Sequence, residues 1–217
     1  MNRIKLFTII SIFCILIMVP TSFAVDDAAM AVGETVEHLT FGDSSAILTA
    51  DYYFDANVPD DSGNGSASNP YKEFKSDRVV ADSNLHLAKG EYTLDRQVTI
   101  RNVTIIGEDP SQTIIKYNYG TGFTVSSSLT LKNLTLVGLR IVNNGNLTAA
   151  DTTFKDYQQG SRDGGVIESQ STNANTVLNH CIFNNTFANH GGAIYLSQAS
   201  LTVTDSLFMN SRSTSYG

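Results

Sequence analysis

The segment 98–107 (VTIRNVTIIG) returns at 129–138 (LTLKNLTLVG) with the same residue class at every position. Weaker copies follow at 147–156 (LTAADTTFKD), 176–185 (TVLNHCIFNN) and 201–210 (LTVTDSLFMN). Apolar residues stand two apart on either side of a central polar residue. The two-residue period of a strand therefore sends Val98, Ile100, Val103 and Ile105, and then Leu129, Leu131, Leu134 and Leu136, to one face. Thr99, Thr104, Thr130 and Thr135 go to the other. Short strands of this kind cannot bury an apolar face alone and become stable only by stacking on the next copy. Aligning the copies puts Asn102, Asn133, Asp151, His180 and Asp205 in one structural corner column. Asn and Asp suit a corner because they tolerate the left-handed conformation that a sharp bend needs. The expected fold is all-β: a right-handed parallel β-helix, or solenoid, over residues 85–217, with variable loops between rungs.

The N-terminal part differs. Arg3 and Lys5 precede an apolar run over 6–19, then Pro20 and the small residues Ser22 and Ala24, the pattern of a signal peptide over 1–24. That run is short of the roughly 20 residues needed to span a bilayer. Residues 25–84 read as a capping region: a short strand at 51–55, a Gly/Ser loop at 58–70, and a short amphipathic helix at 71–81 on the spacing of Tyr71, Phe74, Arg78 and Val79. After cleavage only Cys181 remains, on the inward face, so no internal disulfide is available.

Composition narrows the function. Lys plus Arg number 14 against 21 Asp plus Glu, for a net charge of -7 with no basic run, which argues against a nucleic-acid partner. An enzyme on this scaffold needs carboxylates projecting from neighbouring rungs on one face. The outward charges Asp95, Arg96, Arg101, Glu108, Asp109, Lys132, Arg140, Asp163 and Glu168 share no common position in the repeat, and His190 occupies a variable one. No catalytic, cofactor-binding or metal-ligating residue is assigned. Asp60, Ser62, Asn64 and Gly65 match the first half of a calcium loop, but Tyr71 stands where its last acidic ligand belongs. Asn64, Asn102, Asn133, Asn146 and Asn184 each begin an Asn-x-Ser/Thr triplet, a candidate glycan acceptor in an exported protein.

Residues 183–195 (FNNTFANHGGAIY) resemble the F-x-x-N-x-A-x-x-G-G-A-I-Y repeat of chlamydial-type polymorphic outer-membrane proteins, which also occurs in adhesin-like surface proteins of methanogenic archaea. The motif residues are Phe183, Gly191, Gly192, Ala193, Ile194 and Tyr195. A degenerate copy is Gly164, Gly165, Val166 and Ile167, and Phe154 and Phe208 are equivalents of Phe183. The stretch from Tyr53 to Tyr92 is similar to the N-terminal module of the archaeal proteins, so the resemblance covers about 51–217. It implies an extracellular or cell-surface β-helix acting in adhesion, with cell-surface glycans or proteins as partners and no cofactor. The alternative is a secreted polysaccharide-active enzyme, a pectate-lyase-like lyase or a hydrolase. The last copy stops where a second Gly and another apolar strand are due, so the expectation is a piece of a longer repeat array that self-associates through its C-terminal end.

Overall fold

The structure, a computed structural model, describes residues 49–216. The expected signal peptide and the first part of the capping region lie outside the described residues. In chain order the strands are β1 (Ala50–Phe54), β2 (Ser83–Leu87), β3 (Gly90–Thr93), β4 (Val98–Ile100), β5 (Val103–Gly107), β6 (Thr113–Val125), β7 (Ser128–Asn143), β8 (Asn146–Lys155) and β9 (Gln158–Asp163). They continue as β10 (Ile167–Ser169), β11 (Asn175–Asn179), β12 (Ile182–Asn184), β13 (Phe187–His190), β14 (Ile194–Leu196), β15 (Ser200–Thr204), β16 (Leu207–Met209) and β17 (Arg212–Tyr216).

All ladders between these strands are parallel. A first ladder runs β1-β2-β5-β7-β8-β11-β15. A second joins β3, β6, β7, β8, β12 and β16, and a third joins β4, β6, β7, β10 and β14, while β9, β13 and β17 pair separately. Strand β7 belongs to all three: Leu129 to Lys132 pair with β5, Thr135 to Val137 with the start of β6, and Leu139 to Asn143 with its end. Two left-handed residues, Asn133 (φ 55°) and Gly138 (φ 64°), mark the bends between these parts. The architecture is thus all-β, built of long parallel ladders. Pairing starts at β1, upstream of Leu85, because Tyr52 and Phe54 align with Leu85 and Leu87.

The side chains expected inward are buried: Ile100, Ile105, Leu131 and Leu134 have no measurable exposure. Each layer is covered by the next. Phe154, Phe183 and Phe208 align in register and stack at 4.7 Å between ring centroids. The first two are fully buried, whereas Phe208, in the last rung, is 43% exposed. Cys181 lies in the same interior, and burial pushes its thiol pKa up. Where one rung's backbone crosses closely over the next, no side chain fits: a Cβ on Gly165 would lie 2.1 Å from the Gly192 carbonyl oxygen. That is the physical reason for the paired glycines of the motif.

The sequence alignment of the corner column needs one correction. Asn133, Asp151, His180 and Asp205 do share a corner, between the first and second ladders, with φ of 48–55°. Asn102 is also left-handed (φ 52°) but sits one corner earlier, because Val103 pairs with Leu129. Its side chain donates to Asp82 Oδ1 (2.8 Å) and accepts from Ser128, 26 residues on, at 3.0 Å. A strand-corner-strand segment such as 98–107 suits any corner. The alternation fixes which face is inward but not which bend the segment makes.

The expected helix over 71–81 is replaced by irregular chain with a three-residue 3-10 helix, Ser76–Arg78. Its backbone N–H groups bond elsewhere in the chain, and the Ser76 one would otherwise be an intrahelical donor. The Tyr71 N–H donates to the Tyr53 carbonyl, the Lys72 and Glu73 N–H groups to Asp61 Oδ1, and the Ser76 N–H to Asp95 Oδ1. Phe74, fully buried, packs between the Phe54 ring (5.3 Å) and the Tyr92 ring (6.5 Å). Tertiary contacts here outweigh a weak helical pattern. Tyr92 donates to the Ala88 carbonyl, and burial raises its phenol to about 12.

Asp61 ties this cap together. Both its oxygens accept from Arg78, at 2.7 and 2.8 Å, and the Arg78 guanidinium is the main cause that holds the carboxyl well below the usual carboxylate range. A depressed folded pKa contributes stability that is complete above the unfolded value, near 4, and is lost as pH falls below it. Asp61→Asn should cost about 2 kcal/mol at pH 7, and the difference from wild type should shrink on acidification below about pH 4. Denaturant titrations of both proteins at pH 7 and pH 3 check this. A gap that does not change with pH would show that the carboxylate charge is not what stabilises the cap, and no gap at pH 7 would assign the Arg78 contact no role in stability.

Candidate functional site

A half-open cleft of about 350 Å³ lies at the N-terminal end of the first ladder. The β1–β2 register sets Tyr53 beside His86, and their rings stack at 4.7 Å and 14°. Asp51, two residues before Tyr53, accepts from His86 Nε2 (2.8 Å) and Asn84 Nδ2 (3.0 Å). Those two bonds, the His86 one first, keep the Asp51 pKa below its ordinary value. The imidazole is thereby held flat against the phenol. Ile106, beside His86 in the next strand of the ladder, and Pro70 supply the apolar part of the lining, whereas Phe54 and Leu87 border the cleft from the core, 1% and 2% exposed.

Two carboxylates complete the lining, Asp55 and Glu108, with no Lys or Arg among the lining residues. Asp55 Oδ1 accepts from the backbone and side chain of Asn57, and Glu108 Oε2 accepts from the Lys89 N–H at 3.2 Å. Their other oxygens have no hydrogen-bond partner among the described residues. An aromatic pair over an apolar lining, with acceptors beside it, suits a ring that is apolar on one face and carries donors around its edge. Of these residues only Glu108 was named as an outward charge in the sequence. Tyr53 and His86 are too far apart in the chain for any local pattern to pair them.

A second polar cluster spans successive rungs at the Gly164-Gly165 turn. Arg140 and Glu168 form an ion pair with both side chains almost fully buried. Arg140 also donates to the Thr121 hydroxyl (2.9 Å) and the Asp163 carbonyl (2.9 Å), and Glu168 accepts from Gln170. The Asp163 carboxylate accepts from His190 Nδ1 and Asn189 Nδ2. These bonds, His190 first, lower its pKa. The sequence placed Asp163, Glu168 and His190 at unrelated repeat positions, and the turn brings them together through Arg140.

The remaining candidates are structural in their contacts. Asp60 and Asn64 of the calcium-like loop turn onto their own chain, accepting from Ser62 and Ser66. His180 Nε2 lies 4.0 Å from Asp205, with both side chains largely exposed. Asn64 and Asn146 are exposed, whereas Asn184 accepts from Asn210 and Asn102 is committed to its corner. A further left-handed column, Gly138, Asp156, Asn185 and Asn210, was readable as the last position of each of the later repeat copies. Asn185 donates to Asp156 at 2.7 Å along that column. Among the described residues no helix is long and apolar enough to cross a membrane. No protein-family model, curated protein or solved structure matches the chain.

Proposed function

We propose that this chain is an exported, surface-displayed right-handed parallel β-helix that mediates adhesion by binding cell-surface glycans or proteins. The handedness follows from the rule that parallel crossovers are right-handed, and the passage of β7 through three ladders supports the helical winding. The observation that carries the functional reading is the Tyr53–His86 stack beside an apolar cleft with two open carboxylate oxygens. A rigid repeat scaffold presents such a cleft at little conformational cost, which is what a recognition surface needs.

The test is binding of the purified chain to immobilised glycans and to cells. Tyr53→Ala and His86→Ala should each lower glycan affinity at least about tenfold, the scale of losing one well-packed aromatic contact. Circular dichroism should stay unchanged. Wild-type levels of binding by both variants would remove the cleft from the mechanism.

The second reading, a polysaccharide-active enzyme, is favoured by one observation: Asp163, Glu168 and His190 come from neighbouring rungs and meet at one turn. An Asp–His pair is the arrangement that orients an imidazole for proton transfer. Sugar release from a polysaccharide by the wild type, lost in His190→Ala, would establish it.

A further inference from the structure

We propose that the Tyr53–His86 cleft selects saccharides that carry a free, protonated amine. The inference rests on the glycan-binding reading above and narrows it to one ligand class. Three features support it. The aromatic pair and Ile106, aligned in one row across β1, β2 and β5, fit the apolar face of a sugar ring. The cleft volume, about 350 Å³, is at the small end of ligand sites. The charge in the lining is one-sided: Asp55 and Glu108 each keep one oxygen uncommitted, no Lys or Arg is among the lining residues, and the neighbouring Lys89 turns its Nζ to Asp109 at 3.7 Å.

Each carboxylate is held in place through its other oxygen, Asp55 by Asn57 and Glu108 by the Lys89 N–H. The open oxygens are therefore positioned acceptors. An ammonium group gives them charge-assisted hydrogen bonds, which are stronger than those from a hydroxyl. A uronate would bring its own carboxylate against them, in a protein whose net charge is already -7. The site thus discriminates by charge as well as by shape, and the attraction should weaken with salt.

The experiment is calorimetric titration of the full chain with a glucosamine oligomer, its N-acetylated counterpart and an oligouronate, at low and high salt. The amine oligomer should bind about tenfold more tightly than the acetylated one, with the difference falling at high salt and the uronate failing to bind. Asp55→Asn and Glu108→Gln keep the oxygens that accept from Asn57 and Lys89. Each should reduce amine-oligomer affinity about tenfold and acetylated-oligomer affinity by clearly less, so that the preference for the amine falls.

Equal affinity for the amine and acetylated forms, or binding of the uronate, would overturn the proposal. So would a lysine-rich peptide that binds as tightly as the oligomer and is indifferent to Tyr53→Ala, since the occupant would then be a peptide. If the chain binds cells but no amine sugar competes, this inference fails and the adhesion reading stands. If it binds neither cells nor glycans, both fail.

Discussion

Leu131→Asp is expected to leave the chain unfolded, whereas Thr130→Asp, one residue away, should fold normally. Leu131 is fully buried and pairs with Ile105 and Ala149, both also fully buried. An unpaired carboxylate there costs several kcal/mol, and loss of the leucine adds about 2–5 kcal/mol. The sum is comparable to the whole stability of a domain, about 5–15 kcal/mol. Thr130 is half-buried on the opposite face and is flanked by Thr104 and Thr148, so a new carboxylate there meets no like charge directly opposite. Thr135 is different. It was expected to point freely outward, but it is 4% exposed and donates to the Pro110 carbonyl at 2.6 Å. Thr135→Asp should therefore cost about 1–3 kcal/mol. Denaturant midpoints of the three variants check the ranking, and equal behaviour of Leu131→Asp and Thr130→Asp would sink the inward assignment.

Arg140→Ala should destabilise the chain by about 3–5 kcal/mol, because it strands Glu168 as a buried, unpaired charge. The same change removes the donors to Thr121 and to the Asp163 carbonyl, which tie strand β6 and the turn before β10 to β7. Replacing both members of the pair, as in Arg140→Met with Glu168→Leu, should recover most of the loss, since a well-packed apolar pair does about as well as a buried ion pair. A double-mutant cycle measured by chemical denaturation gives the coupling directly. A single-variant loss below about 1 kcal/mol would mean the pair is solvated in solution, in line with surface ion pairs.

These two predictions draw on different kinds of information. The first was almost wholly legible in the sequence. The two-residue alternation on either side of the corner, at 98–105 and 129–136, names the inward residues, and the Phe154, Phe183 and Phe208 equivalence anticipates a stack that the register confirms. The second was not legible. Arg140 and Glu168 are both outward-facing by alternation, yet both are buried. Nothing local says that the turn after Asp163 will fold over them.

The candidate cleft divides in the same way. Tyr53 was visible as part of a short strand at 51–55, and His86 fell within the region read as repeats, 85–217. Their stacking depends on the parallel register of β1 with β2, across 33 residues that include the Gly/Ser loop and the capping segment. The missed helix at 71–81 has the same origin: the Ser76 N–H, which a helix would pair with the Lys72 carbonyl, donates to Asp95, and Phe74 is held between the Phe54 and Tyr92 rings.

The sequence by itself determined the all-β class, the apolar face and the residue types at the bends. These are consequences of strand periodicity and of which side chains tolerate left-handed backbone, both local properties. Tertiary structure alone decided the phase of the first copy, which put Asn102 one corner before Asn133, and the meeting of Tyr53 with His86 and of Arg140 with Glu168. Loops of unequal length separate the rungs, and periodicity repeats every two residues without recording how far the chain has travelled between them. Only closure of the backbone ladders fixes which residue stacks on which.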